Sequence, residues 1–383
     1  MHPFWSIGFR PFYLGATVFA LLAVPAWYAV YRGWLTFDPV LPGMAWHAHE
    51  MLFGFAAAVI GGFLLTAVRN WTGRPTPSGA ALAALLGLWL AGRLLLITGP
   101  VELAVAVDIA FLPVLALVLA IPLWRSRNWR NLFVVPLLLA LAALGAAHHG
   151  GYHGWLDPAW GHRAITVALD LVALLLAVIG GRVIPAFSAN AVAGLIPRRW
   201  PAVEVLAVGL LLFIALLDVS GLGIPEPARR GLFALAALAH LLRLAGWQPW
   251  ATRGNPLLLA LPLAYLWLPT HLLLRALLDP GSGQMAPLAA HALGIGAMAA
   301  MMLAMMTRSA LGHTGRALVA GRAEITAFAA VHFAAATRAL GPLAWPDAHQ
   351  TWLALSALGW SVAFAAFVLR YAPMMARPRA DDA

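Results

Sequence analysis

The chain has 383 residues, of which 62% are hydrophobic and only 10% are charged, and its formal net charge is +10. A soluble domain carries roughly 25% charged residues, so this composition excludes a globular protein covered by water and favours one embedded in lipid. Every Lys/Arg position is an arginine and there is no cysteine, which excludes disulfides and thiolate metal sites. Any metal must therefore bind histidine, methionine, carboxylate or backbone groups.

Apolar segments of about 20 residues recur along the whole chain, as a helix that crosses a bilayer requires. They are continuous and rich in leucine and alanine, which selects helices over a closed β-barrel. We predict an all-α, polytopic integral membrane protein with about twelve transmembrane helices in one domain, 1–383, built from four-helix repeats near 1–125, 126–250 and 251–383. The predicted spans are 14–31, 46–68, 79–98, 101–123, 131–148, 162–186, 201–219, 228–247, 256–277, 283–306, 318–340 and 348–373.

Arginines concentrate in alternate loops, such as 125–130 and 198–199. The positive-inside rule then places both termini in the cytoplasm, and the N-terminal segment does not have the pattern of a cleaved signal peptide. In this orientation most histidines fall at the outer face or in the outer half of a span. They are His47, His49, His148, His149, His153, His162, His271, His291, His332 and His349. Ionisable residues inside a membrane are costly and usually functional, whereas His153 and His349 are also explained as solvated loop residues.

Two spans that run from outside to inside match each other without a gap. The matches set residues 48–74 against 290–316, with His49 on His291, Gly54 on Gly296, and Thr72-Gly73-Arg74 on Thr314-Gly315-Arg316. Internal repeats are common in membrane transporters and related folds, and chance similarity of Ala/Gly-rich helices is the alternative. His162 opens the sixth span at a similar depth, which favours three repeated units.

Imidazole is the commonest metal ligand and also binds haem iron. His49 and His291 are candidates for the two axial ligands of one haem iron if the second and tenth spans are neighbours. His47 lies about 200° from His49 around a regular helix, so one of them binds while the other orients, unless the first turn is irregular. Glu50 is suited to fix the tautomer of a ligating imidazole.

A second candidate site lies in the segment 147–163, where His148, His149 and His162 could bind copper or zinc together with His153. The methionines Met298, Met302 and Met305 follow His291 on nearly the same helix face. We interpret these methionines as packing residues and not as ligands of Cu(I).

Cationic and imidazole side chains also close the tenth span on the cytoplasmic side. Arg308, His313 and Arg316 are candidates for contacts with haem propionates or anionic lipid headgroups. The alternative is that they cap the helix and anchor it at the cytoplasmic face.

Several longer motifs resemble the NnrS family. They are 8–12 (GFRPF), 46–55 (WHAHEMLFGF), 62–68 (GFLLTAV), 70–73 (NWTG), 181–187 (GRVIPAF), 305–308 (MMTR) and 312–316 (GHTGR). The resemblance implies a twelve-span protein of the bacterial inner membrane that carries haem b and copper and acts in nitric oxide metabolism or resistance to nitrosative stress. One departure is Pro262, which stands where the resemblance leads us to expect a histidine, with His271 further on.

The architecture is also similar to the haem–copper oxidase core subunit, in which a low-spin haem hangs between the second and tenth spans. Leu293 stands where that superfamily needs a further histidine, so an oxidase-type catalytic haem is not expected, and whether the chain is an enzyme stays open.

The expected partners are the lipid bilayer and nitric oxide or nitrosyl-metal species, not nucleic acid. The alternative function is transport of a metal ion or small metabolite by intramembrane histidines, and a purely structural subunit is a weaker one.

Overall fold

The computed structural model describes residues 2–279, 283 and 285–381, and every regular element in those residues is a helix. Twelve of these helices are long, and they confirm the predicted all-α, polytopic fold. They are α1 (Phe9–Tyr31), α2 (Gly43–Thr72), α3 (Gly79–Thr98), α4 (Val101–Arg125), α5 (Val134–Tyr152), α6 (Ala159–Ala191), α7 (Pro201–Ser220), α8 (Glu226–Gly246), α9 (Pro256–Leu277), α10 (Ala286–His313), α11 (Arg322–Ala339) and α12 (His349–Ala376).

Ten helices of the described residues are long and apolar enough to cross a membrane. The other two long helices, α8 and α11, coincide with the predicted spans 228–247 and 318–340 but carry more charge, including three arginines in α8. That these two cross the bilayer stays a prediction.

Large apolar side chains are exposed on the spanning helices. Leu22 of α1 is 63% exposed, Leu117 of α4 is 65% exposed and Leu369 of α12 is 78% exposed. In water each such side chain would lose the favourable free energy of burial, about 25 cal/mol per Å². Lipid removes that cost, so the surface fits the bilayer environment that the composition predicts.

The chain divides into two compact units. The first unit comprises residues 1–168, 309–317 and 367–383, and the second comprises 169–308 and 318–366. In the first unit, α2 packs against α1 and α4, while α4 also packs against α3 and α5. The middle of helix α2 is almost fully buried, so its polar side chains there need partners inside the protein.

In the second unit, α8 packs against α7 and α9, and the first half of α10 packs against α9 and α11. One buried cation of this unit is paired with two carboxylates, since Arg275 donates to Asp170 at 2.8 Å and to Asp218 at 2.6 Å. The predicted arrangement in three four-helix repeats stays a prediction.

The two matching spans share a helical irregularity. The regular α-helix of α2 changes to a π-helix over Glu50–Ala56, directly after His49, and α10 changes to a π-helix over Ala292–Ala299, directly after His291. Such π segments are rare and frequently occur at functional sites. The matched sequences therefore also share local backbone structure, which supports the internal repeat.

The matching Thr-Gly-Arg sequences end these two spans in the same way. Thr72 and Thr314 each donate a hydroxyl hydrogen bond of 2.6 Å to the carbonyl four residues earlier. Gly73 and Gly315 follow in the left-handed region, at φ 65° and 71°, where glycine adopts a helix-ending conformation without steric cost. This geometry supports the alternative interpretation of the cytoplasmic end of the tenth span, in which its residues cap the helix.

Candidate metal centre

His49 of α2 lies between two carboxylates in the interior of the first unit. Its Nδ1 atom is 3.2 Å from Oε1 of Glu50, and its Nε2 atom is 3.0 Å from Oδ2 of Asp108 on α4. The Nε2 contact lacks hydrogen-bond geometry. Ligand atoms of one tetrahedral ion, each about 2.0–2.2 Å from it, lie about 3.3–3.6 Å apart, so this nitrogen and oxygen are only slightly closer together than two ligands of one ion.

His149 of α5 brings a second imidazole to the same carboxylate. Its Nε2 atom is 3.2 Å from Oδ2 of Asp108, and the ring centres of His49 and His149 are 4.7 Å apart. One donor atom from each of His49, Asp108 and His149 lies within 4.8 Å of the others, and all three residues are buried. Three helices thus place two nitrogens and one carboxylate oxygen where a single metal ion could contact them all.

His148 offers a further donor beside this group. Its ring stacks on that of His49 with centres 5.7 Å apart, and its Nδ1 atom is 2.6 Å from the carbonyl oxygen of Gly161. Its Nε2 atom is buried and makes no hydrogen bond of standard geometry with the described residues, although the backbone of Ala45 interacts with this ring. A metal-binding histidine commonly donates its other ring N–H to a carbonyl, so the surroundings of His148 suit a fourth ligand.

Arg93 of α3 holds both carboxylates of the site. Its NH1 group donates to Oε2 of Glu50 at 2.9 Å, and its NH2 group contacts Oδ1 of Asp108. Each carboxylate therefore gives one oxygen to Arg93 and presents the other to an imidazole. With neutral imidazoles, two carboxylates and one guanidinium leave an excess of one negative charge in the interior, which favours a bound cation because buried charge needs compensation.

Gly54 makes room for this ion pair. A Cβ atom at Gly54 would lie 2.6 Å from Oε2 of Glu50 and 2.8 Å from NH1 of Arg93. The carbonyl oxygen of Gly54, which lies in the π segment, accepts a hydrogen bond of 3.0 Å from the indole of Trp89. Helices α2 and α3 can therefore approach closely only because this position lacks a side chain.

We predict that Gly54→Ala destabilises the protein by about 1–3 kcal/mol, the usual cost of overpacking a filled interior. The matched control is Gly87→Ala in α3, because a Cβ there meets nothing within 4 Å and alanine favours a helix. Thermal unfolding in detergent measures both variants, and equal midpoints for the two would refute the packing argument.

Two other histidines that the sequence indicates lie beside aromatic rings in the first unit. His47 is half-buried and stacks on Trp27 with ring centres 4.3 Å apart. His162 is exposed, and its ring centre lies 5.9 Å from that of Tyr152. The structure brings His49, His148 and His149 together, and it places His47 and His162 against these aromatic neighbours.

His291 and Arg308 belong to the second unit. The Nδ1 atom of half-buried His291 is 2.6 Å from the carbonyl oxygen of Pro287, and the guanidinium of Arg308 lies 4.1 Å from the ring centre of Phe187. His271, which the departure from the family motif singled out, has its Nδ1 atom 2.7 Å from the carbonyl oxygen of Ala289.

His313 and Arg316 belong to the first unit, at the end of α10. The ring of His313 packs on Phe9 with centres 5.6 Å apart, and Arg316 donates to the carbonyl oxygen of Thr314 at 3.2 Å. Their predicted contacts with haem propionates or lipid headgroups stay predictions.

Sequence reasoning missed Asp108 and Arg93. Each lies within an apolar run, 101–125 and 79–98 respectively, and an ionisable residue inside a span is a functional candidate. That signal was available and was applied only to the histidines.

The NnrS protein family matches residues 3–379 of this chain. The chain belongs to the NnrS family. The match covers nearly the whole chain, from before α1 to beyond α12, so it includes every residue of the candidate metal centre. No curated protein matches the sequence at a significant level.

Proposed function

We propose that this NnrS protein is a metal-binding membrane protein of the nitric oxide response and that His49, His149 and Asp108 hold its metal ion. The observation that carries the proposal is the convergence of these three buried donors around a site with excess negative charge. Two imidazoles and one carboxylate suit iron, copper or zinc. Membership of the family supports the link to nitric oxide.

The residues of the chain prepare the ligands. The carboxylate of Glu50 accepts a hydrogen bond from the Nδ1–H group of His49. This leaves the lone pair of Nε2 for a metal. Arg93 fixes the orientation of both carboxylates, and Phe53, whose ring centre is 5.0 Å from that of His49, shields the site from water. A bound metal would supply an open coordination position for nitric oxide or a nitrosyl-metal species.

The family resemblance implies copper as well as haem, and we assign copper to this site, with His148 as a fourth ligand. The donors are nitrogen and oxygen only, which suits Cu²⁺ better than Cu⁺. Copper at this centre accounts for the burial of three imidazoles and two carboxylates in one place.

Haem b between His49 and His291 is a second proposal, with Arg308, His313 and Arg316 as partners of its propionates and His47 beside the first ligand. It is favoured by the π-helical segments that directly follow both histidines. Both ring nitrogens of His49 already face carboxylates, so Nε2 could hold haem iron only if Asp108 moved away. The geometry at His49 therefore favours a metal ion over haem iron.

We further propose that the protein lies in a bacterial inner membrane with both termini in the cytoplasm. The arginine-rich loops support this orientation through the positive-inside rule. The candidate centre then lies towards the outer face, because α5 ends there at Tyr152, three residues beyond His149.

Metal analysis and absorption spectroscopy of the detergent-purified protein test the proposed function. We expect about one non-haem metal per chain, as one three-donor site predicts, and a spectral change when nitric oxide is added. His49→Ala and His149→Ala should lose the metal, whereas the control His162→Ala should retain it.

The same spectra separate the alternatives. A Soret band that disappears in both His49→Ala and His291→Ala, with metal content unchanged in His149→Ala, would favour haem and contradict the ion. A colourless protein whose transport flux depends on the intramembrane histidines would favour the transport function.

A further inference from the structure

The outer end of α5 carries two imidazoles on one helix face. His149 and His153 are four residues apart, the spacing that brings helical side chains together. Their rings are nearly parallel, with an interplanar angle of 8° and centres 5.9 Å apart. The backbone N–H of His153 donates to the carbonyl oxygen of His149 at 2.9 Å, so the end of the helix holds the pair in register.

Both rings of this pair have a buried nitrogen without a hydrogen-bond partner in the described residues. These atoms are Nδ1 of His149 and Nε2 of His153. Buried polar atoms are nearly always paired in folded proteins, so an unpaired one needs an explanation. The Nε2 atom of His149 faces Asp108 in the metal centre. Its other ring nitrogen, Nδ1, is the unpaired atom.

His153 lies closer to the surface than His149. It is half-buried while His149 is fully buried, and its ring centre is 5.2 Å from that of Trp155, which is 51% exposed. The exposed carboxylate of Glu102 at the start of α4 is near enough to interact electrostatically with His153. Negative charge at an access point raises the local concentration of cations.

We propose that His153 is the outer ligand of a metal-loading route, which receives a divalent cation such as Cu²⁺ and passes it through His149 to the centre at His49 and Asp108. This inference rests on the proposed function. A metal 2.0–2.1 Å from an imidazole nitrogen lies about 3 Å from the ring centre, so two imidazoles that share an ion have centres about 5–6 Å apart. The ring separations of His153 from His149 and of His149 from His49, 5.9 Å and 4.7 Å, are close to this range.

The transfer is an exchange of ligands and needs no redox partner. The ion loses its bonds to Nε2 of His153 and Nδ1 of His149 as it gains bonds to Nε2 of His149 and to His49 or Asp108, so each bond that breaks is replaced by one that forms. A neutral imidazole serves each step as a lone-pair donor.

His162 provides the matched control. It is another imidazole near the same end of the unit, but Tyr152 lies between it and His148, with ring centres 5.9 Å and 4.9 Å apart. A phenol is a much weaker ligand for a divalent cation than imidazole, so this second series does not form a continuous chain of metal ligands.

Stopped-flow mixing of metal-stripped, detergent-purified protein with Cu²⁺ tests the route. We expect His153→Ala to load copper at least about tenfold more slowly than the wild type, the lower end of what loss of a supporting group costs a metal site. The final copper content and the electron paramagnetic resonance spectrum should equal those of the wild type. His162→Ala should load at the wild-type rate.

Equal loading rates in the wild type and His153→Ala would overturn the route, while the proposed function would stand if both bind copper at the centre. Failure of the proposed function is a different result, namely no copper in the wild type or unchanged copper in His49→Ala. His153→Gln guards against a folding defect, because slow loading in this variant with a wild-type unfolding midpoint identifies the imidazole as the missing ligand. Wild-type loading by His153→Gln would count against it.

Discussion

Replacing Arg93 with methionine is expected to destabilise the protein by about 3–5 kcal/mol, the cost of removing one partner from a buried ion pair. Arg93 is the cation that contacts both Glu50 and Asp108, and all three side chains are at most 3% exposed. Without it, two neighbouring carboxylates stay buried without compensation. Thermal unfolding in detergent, with protein yield as a second readout, measures the effect.

The matched control is Arg230→Met. Arg230 pairs with Glu226 on α8, but these side chains are 37% and 44% exposed, and an exposed pair contributes only about 0–1 kcal/mol. Adding Glu50→Gln to Arg93→Met should recover part of the lost stability, because one uncompensated charge is removed. Similar unfolding midpoints for Arg93→Met and Arg230→Met would contradict the proposed role of Arg93.

Asp108→Asn is expected to weaken metal binding by more than about 100-fold, while Glu50→Gln weakens it by about 10–100-fold. The difference follows from geometry, because Asp108 presents an oxygen to both His49 and His149, whereas Glu50 contacts only one of these two imidazoles, at Nδ1 of His49. Asparagine keeps the size of the side chain and removes its charge. Competition with a chelator of known affinity measures both variants.

Asp157→Asn is the control for charge alone, since Asp157 is an exposed acid of the same unit that accepts a backbone hydrogen bond from Ala159. It should bind metal as the wild type does. If Asp108→Asn and Asp157→Asn bind equally well, or if Glu50→Gln weakens binding more than Asp108→Asn does, Asp108 is not a ligand.

The helical membrane fold could be predicted from the sequence because length and apolarity alone determine which segments can cross a bilayer. The helices α8 and α11 show the limit of that signal, since their charged residues make the same criterion ambiguous. The π segments after His49 and His291 could not be predicted, because nothing in the residue pattern separates them from regular helix.

The candidate centre could be predicted only in part. His49, His148 and His149 attracted notice as imidazoles in or beside apolar spans, and Glu50 as a partner for an imidazole. Asp108 belongs to a different helix, and no spacing along the chain shows that α4 packs against both α2 and α5. The pairing of His49 with His291 was inferred from the match of residues 48–74 with 290–316, and it stays a prediction.

X-ray absorption spectroscopy of the copper-loaded protein tests the central claim most directly. The account predicts a copper ion bound by at least two imidazoles and one carboxylate oxygen at about 2.0–2.2 Å, and no such copper signal in His149→Ala. A copper spectrum in His149→Ala identical to that of the wild type would contradict it.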